Sequence, residues 1–191
     1  EGLGDLLFAF DNALIDYVSL AAECARRVKL HWNVPVAIVT DAKAVPLVFD
    51  HHIMVERSEL KDNPRVYLEY LTNLQFWNSN RNRALDLTPF RRTILLDVDV
   101  WIQTDDIPRL WNGEDFALTK EAYSVFSYHE LSTDMKVLSR ASNLPMYWAT
   151  VICFDKESEA TQDFFSEWKK ACANYSTYAH LYGFSAMPVR N

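Results

Sequence analysis

Glycine is scarce in this chain, with four among 191 residues. Phosphate-cradling loops of the Walker or dinucleotide type need clustered glycines. Gly2 and Gly4 fall ahead of the first predicted strand, on the wrong side for such a loop. The composition therefore argues against a P-loop and against an NAD site. Cysteine is nearly as rare: Cys24, Cys153 and Cys172 are odd in number and far apart. That pattern argues against a disulfide framework or a zinc site, and it predicts a reducing, cytoplasmic compartment. No apolar run approaches the roughly 20 residues of a membrane helix. The opening Glu1-Gly2-Leu3-Gly4-Asp5 is acidic and does not read as a signal peptide. The net charge of −7 speaks against a general polyanion binder.

What remains is rich in core-forming residues, 49% hydrophobic with 14% aromatic. Residues 1–191 read as one α/β domain. A first strand is expected over Leu6 to Phe10, ending at Asp11-Asn12, either of which can cap the next helix. Leu14, Val18, Ala21, Ala25 and Val28 recur there at helical spacing. Pro35 to Val39 predicts a second strand ending in Thr40-Asp41, and His52 to Val55 a third. Asn63-Pro64 reads as a helix start, with Tyr67, Tyr70, Leu71, Leu74 and Trp77 as its buried stripe. A polar, cationic stretch runs from Asn78 to Leu85. Further strands are expected at Phe116 to Leu118, Tyr123 to Tyr128 and Val151 to Phe154. A last helix, from about Glu157 to Ala173, would bury Phe164, Phe165, Trp168 and Cys172.

The most informative tract is Thr93-Ile94-Leu95-Leu96-Asp97-Val98-Asp99. Four apolar residues in succession predict a strand buried on both faces of a largely parallel sheet. Ligands of open α/β sheets bind beyond the carboxyl ends of such strands. Two carboxylates placed there can hold a hard divalent cation, Mn²⁺ or Mg²⁺, which in turn holds phosphate oxygens. The bland alternative is that both end the strand in an Asx-type turn.

Several features together resemble the GT-A nucleotide-sugar glycosyltransferases, particularly the glycogenin-like retaining group and its phage-encoded relatives. The features are a first strand ending at an acidic turn, a second ending in Thr40-Asp41, Arg81 ahead of the motif, Leu96-Asp97-Val98-Asp99, Asp105, and Leu110-Trp111. The resemblance implies a GT-A (Rossmann-like), mainly parallel mixed sheet with helices on both faces. It implies a metal-dependent transfer of sugar from a nucleotide diphosphate donor such as a UDP-sugar. Asp97 and Asp99 would be the metal residues, with Asp99 the better direct ligand. Donor binding would involve Phe10, Asp11, Thr40, Asp41, Arg81, Asp97 and Val98. The acceptor is open among a glycan, a protein or a modified DNA base. Two departures stand out. Tyr147-Trp148-Ala149-Thr150 occupies the place of an Asn-Ser-Gly type tract, and the catalytic acidic residue of the family would be expected to follow Asn191. The chain is thus expected to lack the C-terminal part of the domain, which keeps a catalytically incomplete nucleotide-sugar-binding domain as an alternative. A haloacid-dehalogenase-type phosphatase shares the Asp-x-Asp strand end, but Trp101 stands where that motif continues with Thr or Val.

Other side chains carry weaker signals. Asp11 also fits a helix cap, Arg81 a solvated face, and Tyr17 half-buried packing. His51-His52 cannot easily share one ion, because strand neighbours point to opposite faces. Cys153 and the Phe164, Phe165, Trp168 stripe read as core. Trp101 and Trp148 are more open to sugar stacking.

Overall fold

Alternation of apolar strands with amphipathic helices produces a sheet covered on both sides. The computed structural model describes residues 2–60, 63–67, 72–76, 78–111, 114–119 and 147–174, with 177 and 181. In chain order it contains β1 (Leu3–Phe8), α1 (Tyr17–Trp32), β2 (Val36–Thr40), β3 (His51–Met54), β4 (Asn63–Tyr67), β5 (Thr72–Phe76), α2 (Ala84–Leu87), β6 (Arg92–Leu96), α3 (Asp106–Leu110), β7 (Phe116–Thr119), β8 (Trp148–Asp155) and α4 (Glu159–Ala173). Short 3-10 turns lie at Arg57–Glu59 and Asn78–Arg83. Six strands form the main sheet in the order β3-β2-β1-β6-β8-β7. Neighbours from β3 to β6 run parallel, while β8 runs against both β6 and β7. The expected strand at Tyr123 to Tyr128 lies outside the described residues.

The two faces of the sheet are read off by alternation along each strand. Leu7, Ile38, Ile94, Leu96 and Cys153 meet Ala21, Cys24, Ala25 and Val28 of α1. Leu6, Phe8, Val39, Leu95, Ile152 and Phe154 meet Phe165 of α4 and Ala84 of α2. The four-residue run of β6 is buried on both faces, as its apolar continuity demands. Phe165 is fully buried and packs edge-on to Phe154, with Phe164 and Trp168 against it. That stripe is core, as expected.

Three expectations need correction. Helix α1 begins at Tyr17, with Asp16 as its cap through a 2.8 Å bond from the Ser19 N–H. Leu14 is exposed ahead of it. The Asn12 side chain accepts from the N–H groups of Leu14 and Ile15, and this local turn competes with helix. The helix expected from Asn63 is instead the antiparallel pair β4–β5, with Asn63 opposite Phe76 and Tyr67 opposite Thr72. Its β-branched and aromatic content suits strands, and paired strands satisfy each other's backbone groups. Of the stripe once expected there, Tyr70, Leu71 and Trp77 lie outside the described residues. Finally, β1 begins at Leu3, so Gly4 lies within it.

A Cβ built at Gly4 would overlap the ring of Phe90, which packs on the α4 side of the sheet. Gly4→Ala is therefore expected to cost about 1–3 kcal/mol through forced repacking. Urea denaturation would measure it, and an unchanged midpoint would refute it.

Candidate functional site

The parallel strands β2, β1 and β6 end on the same edge of the sheet. The connection leaving β1 goes to β2 on one side, and β6 lies on the other, so this edge is the topological switch point. Residues at or just past the three strand ends lie along it. They are Phe10 and Asp11 after β1, Thr40 and Asp41 at the end of β2, and Asp97 to Asp99 after β6.

Strand β6 stops in a tight turn in which the Val100 N–H donates to the Asp97 carbonyl at 3.3 Å. The turn tucks Val98 into the α1-side core and leaves Asp99 exposed. Asp97 is half-buried and points the other way, toward Arg81. Arg81 donates to the Asp97 carboxylate at 2.6 Å and to the Ala149 carbonyl at 2.7 Å, while its Nε has no partner. Only 9% of the Arg81 side chain is exposed. The solvated-face alternative for Arg81 is thus ruled out, because a guanidinium this buried needs a carboxylate beside it. Burial pushes the Asp97 carboxyl above its ordinary range, and Asp99 adds to the rise. Arg81 and a side-chain hydrogen bond from Thr150 oppose it.

Strand β8 completes this corner. Its ladder with β7 jumps from Leu118 opposite Ile152 to Thr119 opposite Trp148, an irregularity that bends the strand beside the carboxylates. In this stretch the Ala149 carbonyl accepts from Arg81, and the Thr150 carbonyl accepts from the Asp97 N–H at 3.0 Å. Ala149 and Thr150 therefore support the corner directly. The sequence offers no signal for this, because both act through backbone and cross-strand contacts.

Arg81→Met is expected to lower stability by about 1–3 kcal/mol. The figure is discounted from a fully buried pair because Asp97 is partly solvated. A double-mutant cycle with Asp97→Asn, read by urea denaturation, should return a coupling of about 1 kcal/mol or more. Additive effects would show that the two side chains do not act together.

On the other side of β1, the candidate residues take mixed roles. The Phe10 side chain belongs to the core, tilted against Phe8. Asp11 accepts from the Val18 N–H at 3.0 Å, supporting the start of α1 from outside the cap position. Thr40 is fully buried and accepts from the Ala42 N–H through its hydroxyl at 3.2 Å. The Asp41 carboxylate is engaged by Arg57, a residue that sequence reading missed. Arg83, Arg91 and Arg92 form no common cationic surface with Arg81. Arg83 pairs with Glu59, Arg91 with Asp155 and Glu157, and Arg92 stacks on Trp111 and donates to its carbonyl. Trp101 is exposed, with the Arg27 guanidinium 4.5 Å from the ring centre. His51 packs edge-on against Phe90, consistent with a surface role.

Among the described residues, no three His, Cys, Asp or Glu side chains converge on a point suited to a metal ion. Asp97 and Asp99 stand as a pair. A hard dication shared with a diphosphate keeps several waters and needs only one or two protein carboxylates, so the oxygen donors present fit that use. Among the described residues, no helix is long and apolar enough to cross a membrane.

The sheet order and the helices on both faces define a mixed α/β fold of the GT-A type. Solved structures share this fold at low sequence identity. The galactosyltransferase LgtC, in complex with donor and acceptor sugar analogues, aligns with a TM-score of 0.53 at 12% identity over 90% of this chain. Mouse xyloside xylosyltransferase 1 aligns with a TM-score of 0.50 at 12% identity, covering 96% of this chain and 77% of its own. The glycosyltransferase GlyE of Streptococcus pneumoniae aligns with a TM-score of 0.50 at 10% identity over 95% of this chain. This chain spans 65% of the length of LgtC and 43% of that of GlyE. No family model and no curated protein sequence matches it.

Proposed function

We propose that this chain is a metal-dependent glycosyltransferase that takes a sugar from a nucleotide diphosphate donor, a UDP-sugar, to an acceptor. One observation carries the reading. At the switch point of a GT-A fold, Asp97 is held by a buried arginine while Asp99, two residues on, is left open to solvent.

In this reading the two carboxylates divide the work. Asp99 is a ligand for Mn²⁺ or Mg²⁺, and Asp97 supports the same ion or the donor ribose. A bound dication would supply charge neutralisation for the departing diphosphate. Arg81 donates one bond to the Asp97 carboxylate and is itself fixed by a second to the Ala149 carbonyl, so Asp97 is oriented before the donor arrives. The β1 and β2 ends, with Asp11, Thr40 and Asp41, receive the nucleoside, and the backbone at Phe10 and Val98 lines the approach. A phosphatase would need Asp97 as a free nucleophile, and its bond to Arg81 speaks against that use.

The test is release of nucleoside diphosphate from UDP-sugars in the presence of Mn²⁺ or Mg²⁺, alongside calorimetric binding of UDP with and without the ion. Metal-dependent binding together with release supports the transferase. Binding without release, in the full-length protein and with varied acceptors, would favour a binding domain. Absence of any nucleotide binding would refute both.

A further inference from the structure

The loop that leaves β6 is fastened to the flank of α1. Arg27 donates from Nε and a terminal nitrogen to the Ile102 carbonyl, at 2.8 and 2.6 Å. Further along, the Thr104 carbonyl accepts from the Trp32 indole N–H at 2.7 Å. Between Asp99 and these latches stands Trp101, 57% exposed. The Arg27 guanidinium lies over its ring, 4.5 Å from the centre. That contact is a cation–π pair, and it fixes the plane of an indole that stays outside the core.

We propose that Trp101 is an acceptor-binding residue, a platform on which a pyranose ring of a saccharide acceptor stacks, beyond the sugar that receives the transfer. This rests on the glycosyltransferase reading above and deepens it by naming the acceptor as a glycan.

Position sets the platform beside the transfer point rather than in it. Trp101 follows Asp99 by two residues, so their Cα atoms are at most about 7 Å apart. Its ring packs on Arg27, however, which lies well past Tyr17, the first residue of α1. At the helical rise that separation along the axis is about 15 Å. Helix α1 starts at the switch-point edge and runs back along the sheet, because it joins the parallel strands β1 and β2. Trp101 therefore stands down the flank from the carboxylates. A ring stacked there belongs to a neighbouring unit of an oligosaccharide. The donor nucleoside is assigned to the ends of β1 and β2, on the other side of β1 from β6, and does not compete for this place.

Chemistry selects the saccharide. A pyranose face presents C–H groups, apolar and slightly positive, which suit the negative face of an indole. Its hydroxyls need polar surroundings, and Asp99, Gln103 and Thr104 on the same loop are all exposed. A protein partner would call for a contiguous apolar patch, whereas this aromatic is set among polar loop residues. A nucleic acid would call for cations along its phosphates. Here Arg27 is held by the Ile102 carbonyl and Arg26 by Glu23. A ring already pinned by Arg27 also loses little freedom when a ligand arrives.

A glycan array probed with the labelled full chain, in UDP and Mn²⁺, identifies the oligosaccharides that bind. Release of UDP from UDP-sugars then gives KM for the best of them and for its terminal monosaccharide. Trp101→Ala is expected to raise KM for the oligosaccharide roughly 10-fold, the size of a lost stacking contact. It should leave unchanged the KM for the monosaccharide, the affinity for UDP and the acceptor-independent hydrolysis of the donor. Trp101→Phe keeps a stacking face and should restore most of the loss. Thermal midpoints of both variants should match the wild type, since the side chain is exposed. An unchanged oligosaccharide KM in Trp101→Ala, or an equal rise for the monosaccharide, overturns this role while leaving the transferase reading intact. So does a wild type that binds UDP with Mn²⁺ but no glycan, or that transfers only to a peptide or a single-stranded oligonucleotide. Failure of the wild type to bind UDP overturns both.

Discussion

Asp99→Ala is expected to lower kcat/KM for the UDP-sugar about 10³-fold and to abolish its dependence on Mn²⁺ or Mg²⁺. The size follows from the several kcal/mol that a Lewis-acidic cation contributes when charge builds on a leaving diphosphate. Asp99 is exposed and follows the strand end, so its removal should leave the fold undisturbed. Thermal unfolding of the variant should therefore match that of the wild type. Asp105→Ala is the control, since Asp105 is an exposed carboxylate at the head of α3 and is not proposed to touch the donor. Retention of metal-dependent turnover in Asp99→Ala would remove the metal role from this residue. Equal losses in both variants would point to a diffuse electrostatic effect instead.

The second large effect concerns stability. Asp5 lies in the middle of β1, fully buried, and among the described residues no side chain hydrogen-bonds either carboxylate oxygen. Its strand neighbours are Val36 and Ile94, with Cys153 next along the row. Burial pushes its carboxyl well above the usual carboxylate range, and the Leu6 backbone N–H opposes the rise. The same apolar surroundings, with Asp5 nearby, push the Cys153 thiol up to about 12.

On Asp5 the folded chain holds a proton that the unfolded chain releases above its own pKa. Stability is therefore greatest below pH 3.8 as far as this group is concerned. It falls as pH rises toward the folded pKa, with a limiting slope of about 1.4 kcal/mol per pH unit. Asp5→Val replaces the carboxyl with a β-branched side chain suited to a buried parallel strand. It is expected to stabilise the protein at pH 7 by about 2–4 kcal/mol and to remove that pH-dependent loss. Urea denaturation between pH 4 and pH 8 measures both. A variant less stable than wild type at pH 7 would mean that Asp5 has an unrecognised partner.

Local patterns carried much of the fold. The apolar run of β6 could only be a doubly buried strand, and the helical spacing from Val18 to Val28 could only face a sheet. Each property belongs to a few consecutive residues, so no knowledge of the rest of the chain is needed. The carboxylates after β6 were legible for the same reason, as an abrupt change of character at a strand end. Where local cues competed, reading failed. Between Asn63 and Phe76 the apolar spacing fits a helix while the residue types fit strands, and pairing between the two segments decides. At Asn12 a side chain hydrogen-bonds its own turn and delays the helix to Tyr17.

The corner around Asp97 could not be read in this way. Arg81 read as a donor-binding residue or as part of a solvated face, yet it is buried between Asp97, 16 residues on, and Ala149, 68 residues on. Arg57 reaches Asp41 and, 46 residues back, Asp11. Asp5 becomes anomalous only once β1 is known to extend to Leu3 and to lie between β2 and β6.

By itself the sequence determined that an apolar strand ends in two carboxylates, that helices cover a largely parallel sheet, and that no glycine-built phosphate loop is present. These follow from periodicity and residue chemistry over short spans. The tertiary structure alone decided that Arg81 holds Asp97 and leaves Asp99 open, and that Arg57 joins the β1 and β2 ends. It alone decided that Asp5 is sealed in the core with no side-chain partner among the described residues. Those outcomes depend on strand order and on which side chains it excludes from water, and no short window of sequence contains either.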